Sequence, residues 1–271
     1  MSSTTTRKTI ELKNMNKSGK PGSQSTTIEI LPSTLARIFS LAHPFLLLSV
    51  YIARFYHLVS DPVGELKNFL IPLILIQITY VVVCLPIAGF SASSSANLSK
   101  VGARGKAKSK KAMKSPSRIL VRFYLASNLQ NYFFTSIQTI LFALCLTGTS
   151  IPVLAIIQVL FGAPFTSHLL HTILSSTHLS LLSLFPLIYV HGTDSGKWKQ
   201  ILSAYCPMDE VFGATVGAFI GGWLGAIPIP LDWDREWQKW PITIVTGMYL
   251  GYISGKFAGG KVFKGKRIEF D

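Results

Sequence analysis

The sequence predicts an all-α, polytopic membrane helical bundle of six transmembrane helices, with seven as the alternative count. Three observations carry that prediction. Of 271 residues, 49% are hydrophobic and only 14% charged, with a mean hydropathy of +0.41. Soluble chains carry about 25% charged residues, and a soluble domain of this length needs a larger polar surface than this composition supplies. Next, 71 consecutive residues between Arg122 and Asp194 contain no Asp, Glu, Lys or Arg. Finally, Lys and Arg number 26 against 12 acids, a net charge of +14, and they fall between the apolar runs. That placement reads as a topology signal and not as a nucleic-acid surface.

Taken in order, residues 1–34 are rich in Ser, Thr and Lys and hold no apolar stretch of signal-peptide length. They read as a disordered cytosolic tail. Ile38 to Val59 is about the length that crosses ~30 Å of hydrocarbon, and its one charge, Arg54, lies near the far end, where it can snorkel. Phe69 to Phe90 forms a second, uncharged span, and 91–117 is too polar for bilayer or core and reads as a basic cytosolic linker. The long uncharged stretch holds two spans comfortably at ~20 residues each. Its candidate breaks are GTSIP at Gly148 to Pro152 and GAPFTSH at Gly162 to His168. Phe133 to Thr147 then belongs to a long or broken third helix, and Leu169 to Val190 is the fourth. Val211 to Leu231 and Pro241 to Ala258 complete the bundle, so that the transmembrane domain covers 35–260 and a basic cytosolic tail covers 261–271.

Charge partition selects six crossings. With six, the two termini, the linker and the Gly192 to Glu210 loop share one side carrying 22 basic residues, and the opposite side keeps Arg54, Lys67, Arg235 and Lys239. This is the positive-inside asymmetry, with both termini cytosolic. Asn16 and Asn97 begin glycosylation sequons that the same topology places in the cytosol. The widely spaced Cys84, Cys145 and Cys206 suggest neither a disulfide framework nor a zinc site.

Two glycine rows are the most specific pattern. Gly213, Gly217, Gly221 and Gly225 recur every fourth residue in the fifth span, and Gly247, Gly251, Gly255 and Gly259 do so in the sixth. Four-residue spacing keeps positions near one helix face, so each row is a groove. Lipid supplies no hydrophobic drive between helices, and small residues allow the close backbone approach that association needs instead. The grooves can serve packing of these two helices, or one can receive a helix of another protein.

Between them lies PIPLDWDREWQKWP, Pro228 to Pro241. Trp233, Trp237 and Trp240, at i, i+4 and i+7, would lie on one side of a helical turn and suit the bilayer interface. Asp232, Asp234 and Glu236 have Arg235 and Lys239 beside them and no histidine nearby, which favours a structural or partner-contact role over acid catalysis or metal binding. His168, His171 and His178 share roughly one helical face, but the charge-free stretch offers no carboxylate to complete a metal site. They read as polar residues hydrogen-bonded between helices or exposed at a turn. No phosphate-binding loop, serine-hydrolase elbow or HExxH motif occurs in the sequence, nor the signatures of lipid-linked alcohol phosphotransferases or membrane phosphatases. No catalytic residue, cofactor or metal ligand is assigned.

The run Val216 to Gly255, VGAFIGGWLGAIPIPLDWDREWQKWPITIVTGMYLGYISG, together with LFGAPF at Leu160 to Phe165, resembles the PIG-F family, the small multi-pass subunits of glycosylphosphatidylinositol (GPI) anchor biosynthesis. The resemblance implies an endoplasmic reticulum membrane protein. It further implies binding to, and stabilisation of, a large multi-pass GPI ethanolamine phosphate transferase, whose own lumenal domain holds the metal-dependent chemistry. On that reading the partner contacts are Gly213, Gly217, Gly221, Gly225, Gly247, Gly251 and Gly255, with Trp233, Asp234, Arg235, Trp237 and Trp240. Two rivals remain: a lipid carrier or scramblase supplying phosphatidylethanolamine or GPI precursor, and a catalytic phosphoethanolamine transferase component.

Overall fold

The structure, a computed structural model, describes residues 27–88, 118–231 and 233–267, with side chains in the third helix described from Phe133 onward. The basic linker, both sequons and Asp232 lie outside the described residues, as do residues 1–26 of the expected tail and the last four residues. Seven α-helices follow: α1 Thr34–Ser60, α2 Pro62–Cys84, α3 Arg118–Leu160, α4 Leu169–His191, α5 Ser195–Leu202, α6 Glu210–Leu224 and α7 Ile242–Phe257. Among the described residues there is no strand.

Among the described residues five segments are long and apolar enough to cross a membrane: Thr34–Ser60, Pro62–Cys84, Phe133–Leu160, Leu169–His191 and Glu210–Leu231. The expected sixth, α7, has 16 residues and reaches further only through a π turn at Ala258–Val262. Pro241 delays its start. The seventh crossing of the alternative count does not form, because α3 runs unbroken for 43 residues through both Gly148 and Pro152. Proline is tolerated inside membrane helices, where neighbours re-satisfy the freed carbonyl, so GTSIP is no break. At 1.5 Å per residue α3 spans about 65 Å, more than a bilayer core, and its Arg118 end extends beyond it.

The second span begins seven residues earlier than expected. Pro62 occupies the first turn, where its missing N–H costs nothing, and the Asp61 carboxylate accepts from Gly64 N at 3.0 Å. At the other end Pro86 follows Leu85, whose extended backbone closes the helix. The shift draws Glu65 into the bundle, where it pairs with Arg54 through Nη2 to Oε2 at 2.9 Å. Arg54 is therefore held across the α1–α2 hairpin instead of simply snorkelling.

Helix α4 is the centre: 15 of its 23 residues are buried, whereas the membrane-spanning part of α3 is mostly exposed. Its serines make this possible. Ser180 Oγ donates to Thr147 O of α3 at 2.9 Å and bonds Ser150 Oγ at 2.6 Å, while Thr215 Oγ1 of α6 donates to Ser183 O at 3.0 Å. Such bonds contribute ~0.6–2 kcal/mol each in a membrane. Residues 27–33, read above as the end of a disordered tail, lie against the bundle: Leu31 N donates to Cys84 O at 2.9 Å and Ile28 N to Asp209 Oδ2 at 3.1 Å.

Candidate interaction surface and helix seam

The two glycine rows face each other. A Cβ on Gly217 would lie 2.7 Å from Gly255 Cα, one on Gly221 would lie 2.8 Å from Gly251 Cα, and one on Gly213 would lie 2.8 Å from Gly259 Cα. Partner numbers fall as the chain climbs α6, so the helices are antiparallel. In the reverse direction a Cβ on Gly251 meets Gly221 Cα at 2.7 Å, on Gly255 it meets Gly217 Cα at 2.7 Å, and on Gly247 it meets Gly225 Cα at 3.1 Å. Gly225 closes the row against Ile244 Cα at 2.8 Å. Real Cβ atoms do not approach backbone this closely, so any side chain here must part the helices. The grooves that the sequence offered to another protein's helix are filled by one another, because backbone fits against backbone along the whole seam.

At the end of this seam the joining loop forms two short 3-10 turns, Ile229–Leu231 and Glu236–Gln238, and not one α-helical turn. The tryptophans separate as a result. Trp233 and Trp237 pair with ring centroids 5.9 Å apart and remain 53% and 36% exposed, whereas Trp240 turns inward against the α6–α7 core. Buried Gln238 braces the loop: its Nε2 donates to Pro228 O at 2.8 Å and its Oε1 accepts from Arg235 N at 3.1 Å. Asp234 sits at φ +50, a left-handed backbone that Asp tolerates better than most residues. Asp234 and Arg235 are exposed, and Lys239 pairs with Glu236. The outcome is a preformed ledge carrying two indoles and both signs of charge.

Of the histidines, His178 is fully buried and joins three helices, bonding Tyr249 OH at 2.9 Å through Nδ1 and Leu66 O at 3.1 Å through Nε2. His168 and His171 pack edge to face at the start of α4, with centroids 5.0 Å apart.

One polar cluster escaped the sequence reading. Lys256, which falls within the expected sixth span Pro241 to Ala258, is 3% exposed inside the bundle. Its Nζ lies 3.9 Å from Glu210 Oε2, 3.4 Å from His43 Nδ1 and 3.7 Å from the Tyr80 ring centroid. His43 in turn stacks on Tyr80 at 4.2 Å, and Ser40 Oγ donates to Glu210 Oε2 at 2.7 Å. The cluster ties α1, α2, α6 and α7 together. The available signal was a lysine one residue from the glycine row, inside an apolar run, where an ionisable group needs a partner. Next to it, Asp209 caps α6 by accepting from Val211 N at 3.0 Å and Phe212 N at 2.9 Å. Burial raises its carboxyl above the usual range, and the N–H groups it accepts from oppose that rise.

Comparison with known proteins meets this geometry at the same residues. The model of the GPI biosynthesis protein family Pig-F matches residues 42–260. Glycosylphosphatidylinositol anchor biosynthesis protein 11 of Neurospora crassa is 42% identical over 89% of this chain and 80% of its own length, and the protein of that name from Aspergillus fumigatus is 41% identical over 84% and 80%. A human relative, "GPI ethanolamine phosphate transferase, stabilizing subunit", is 36% identical over 37% of this chain and 48% of its own length. No solved structure matches. With the family model covering both glycine rows and the loop between them, the chain belongs to the GPI biosynthesis protein family Pig-F.

Proposed function

We propose that this protein is a non-catalytic subunit that binds and stabilises a large multi-pass GPI ethanolamine phosphate transferase in the endoplasmic reticulum membrane, with both of its own termini in the cytosol. The observation that carries the reading is the ledge. Two paired, exposed indoles with Asp234 and Arg235 are held by Gln238 on a loop anchored to a backbone-tight helix pair. Exposed tryptophan and arginine on a rigid support are the residues that anchor interfaces, because they bring contact area at little entropic cost. The human relative's description as a stabilizing subunit supports the same role. The glycine rows serve it indirectly, by fixing the platform from which the ledge projects. The positive-inside partition supports a lumenal ledge, the side on which a lumenal transferase domain would meet it.

The test is affinity capture of the transferase by full-length chain. Trp233→Ala with Trp237→Ala, and separately Asp234→Arg with Arg235→Glu, should lower capture at least tenfold while the abundance of the chain itself holds. Unchanged capture by both pairs would overturn the assignment of the ledge. Transfer of phosphoethanolamine by the purified chain alone, abolished by Asp234→Asn, would establish the catalytic alternative instead.

A further inference from the structure

The end of the bundle opposite the ledge exposes charge of mainly one sign. The segment Glu210–Leu231 separates the two ends by about 33 Å at 1.5 Å per residue, which matches the ~30 Å of a hydrocarbon core. Glu210, with Gly259 and Gly260 beside it across the seam, therefore stands at one edge of that core, and α5 and residues 261–267 lie just beyond it. Lys199, Lys261, Lys264, Lys266 and Arg267 are exposed there, and Lys197 is half-buried. Asp209 and Glu210 turn inward, to the first N–H groups of α6 and to Ser40 and Lys256. Among the described residues at this end, the exposed acids are Glu29 and Asp194. At the ledge end, by contrast, Arg54, Lys67, Arg235 and Lys239 face Asp61, Glu65, Asp234 and Glu236.

A topology signal needs lysines on one side of the membrane, but not lysines in fixed places. Here they are fixed. Met208 N donates to Lys266 O at 2.8 Å and Gly265 N to Met208 O at 2.8 Å, which seats residues 265–266 on the loop after α5, and Gly265 makes the turn at φ +79. The two basic segments meet around Cys206: burial and Asp209 push its thiol up to about 11, and Lys197 and Arg267 both oppose that rise. Lys261 and Lys266 lie over the rings of Phe257 and Phe263, with Nζ 5.3 and 5.7 Å from the centroids. Large apolar side chains are interleaved with the cations. Leu202, Tyr205, Val262 and Phe263 are exposed, while Trp198 and Ile201 of α5 pack on the core. Cations alternating with exposed apolar groups at the edge of the hydrocarbon mark an interfacial segment, whose apolar face enters the headgroup boundary while its charges meet anionic lipid. A nucleic acid or an acidic protein would match the charge and leave those four apolar side chains in water. A zwitterionic headgroup would leave the charge uncompensated.

We propose that α5 and residues 261–267 form a rim that binds anionic phospholipids, with the lysines and Arg267 on headgroup phosphate oxygens and Leu202, Val262 and Phe263 among the first acyl carbons. In the orientation proposed above the rim faces the cytosolic leaflet, whose surface potential is negative. The rim goes beyond the subunit role and does not depend on it, because the ledge lies at the far end of the same helix pair.

The test uses full-length chain in phosphatidylcholine nanodiscs doped with a photoactivatable phosphatidylserine or phosphatidylcholine probe, and reads cross-links peptide by peptide. A basic residue near a membrane surface gains roughly fivefold in binding to anionic lipid. Labelling of the peptides covering 199–206 and 258–267 is therefore expected to be at least about fivefold stronger with the serine probe. It should fall severalfold in 1 M salt, where the screening length is ~3 Å, and unlabelled phosphatidylglycerol should compete as well as phosphatidylserine. Lys264→Gln with Lys266→Gln should lower serine-probe labelling at least about tenfold, at roughly fivefold per lysine, without changing the chain's unfolding in micelles. Lys264→Arg with Lys266→Arg should keep the labelling. Equal labelling by the two probes, or a serine preference that survives the paired Gln substitution, would overturn the rim. Soluble polyglutamate that displaces the serine probe and no longer binds the paired Gln variant would overturn it in favour of an acidic protein.

Discussion

Replacing Gly251 by Ala isolates the seam with a single methyl group. That carbon would lie 2.7 Å from Gly221 Cα, with the Gly217 carbonyl closer still, against ~3.5–4.0 Å for an ordinary carbon contact. The helices must therefore part by roughly 1 Å. A gap of ~0.5–1 Å forfeits a quarter to a half of each contact's dispersion, and it opens along the whole seam because a helix moves as a rod. Overpacking costs typically ~1–3 kcal/mol, and the upper end applies where the obstacle is backbone with no rotamer to yield. About 3 kcal/mol is expected, some hundredfold in the folding equilibrium at 1.4 kcal/mol per tenfold. Two glycines serve as controls. A Cβ on Gly222 meets side chains alone, the flexible Met248 at 3.1 Å and Ile244 Cγ2 at 4.0 Å, and one on Gly148 meets nothing within 4 Å. Gly222→Ala should cost under about 1 kcal/mol, and Gly148→Ala should be neutral or gain up to ~1 kcal/mol from helix propensity. Combining Gly217→Ala with Gly251→Ala should cost less than the sum, since the first substitution has already separated the same pair of helices. The assay is reversible unfolding of the purified chain in mixed micelles titrated with a denaturing detergent. A Gly251→Ala variant within about 0.5 kcal/mol of the parent, the ordinary range of an inconsequential surface change, would refute the reasoning.

Three further outcomes follow from the buried polar groups and are measured in the same assay. Tyr249→Phe removes the partner of His178 Nδ1 and should cost ~1–3 kcal/mol, the penalty of one unsatisfied buried group. Asp209→Ala removes the cap of α6 and the bond to Ile28 N, for an expected loss of ~1–2 kcal/mol, while Asp209→Asn keeps the cap through its one oxygen but cannot accept from Ile28 N, and should fall between the parent and the Ala variant. Lys256→Met leaves the Glu210 carboxylate without its cation and should destabilise by ~3–5 kcal/mol, of which Glu210→Gln in the same chain should restore at least half.

The helices were legible because each apolar run holds at most one charged residue and is about as long as a bilayer is thick, and the start of α2 was legible in principle from Asp61-Pro62, a cap followed by a first-turn proline. Other features depend on neighbours. Pro152 does not break α3, since lipid-embedded helices have no competing water for the freed carbonyl and α4 packs alongside. The glycine spacing identified both grooves, but whether they meet each other or another protein's helix depends on the relative height and rotation of α6 and α7, which periodicity does not encode. Lys256 shows the same limit: its place near the end of an apolar run names no partner, and only the packing of α7 against its neighbours sets it beside Glu210, His43 and Tyr80. The helical i, i+4, i+7 spacing of Trp233, Trp237 and Trp240 misled for a different reason, because two 3-10 turns replace the single helical one and send Trp240 inward against the α6–α7 core while the other two stay outside.

The role as an accessory subunit meets its most direct test in one reconstitution. Vesicles receive this chain alone, the transferase alone, or both, and transfer of phosphoethanolamine to a GPI precursor is followed together with the amount of folded transferase. The account expects no transfer by the chain alone, and a gain with both that tracks the extra folded transferase and disappears with Trp233→Ala and Trp237→Ala. Turnover by the chain alone, or a gain that ignores those two indoles, would contradict it.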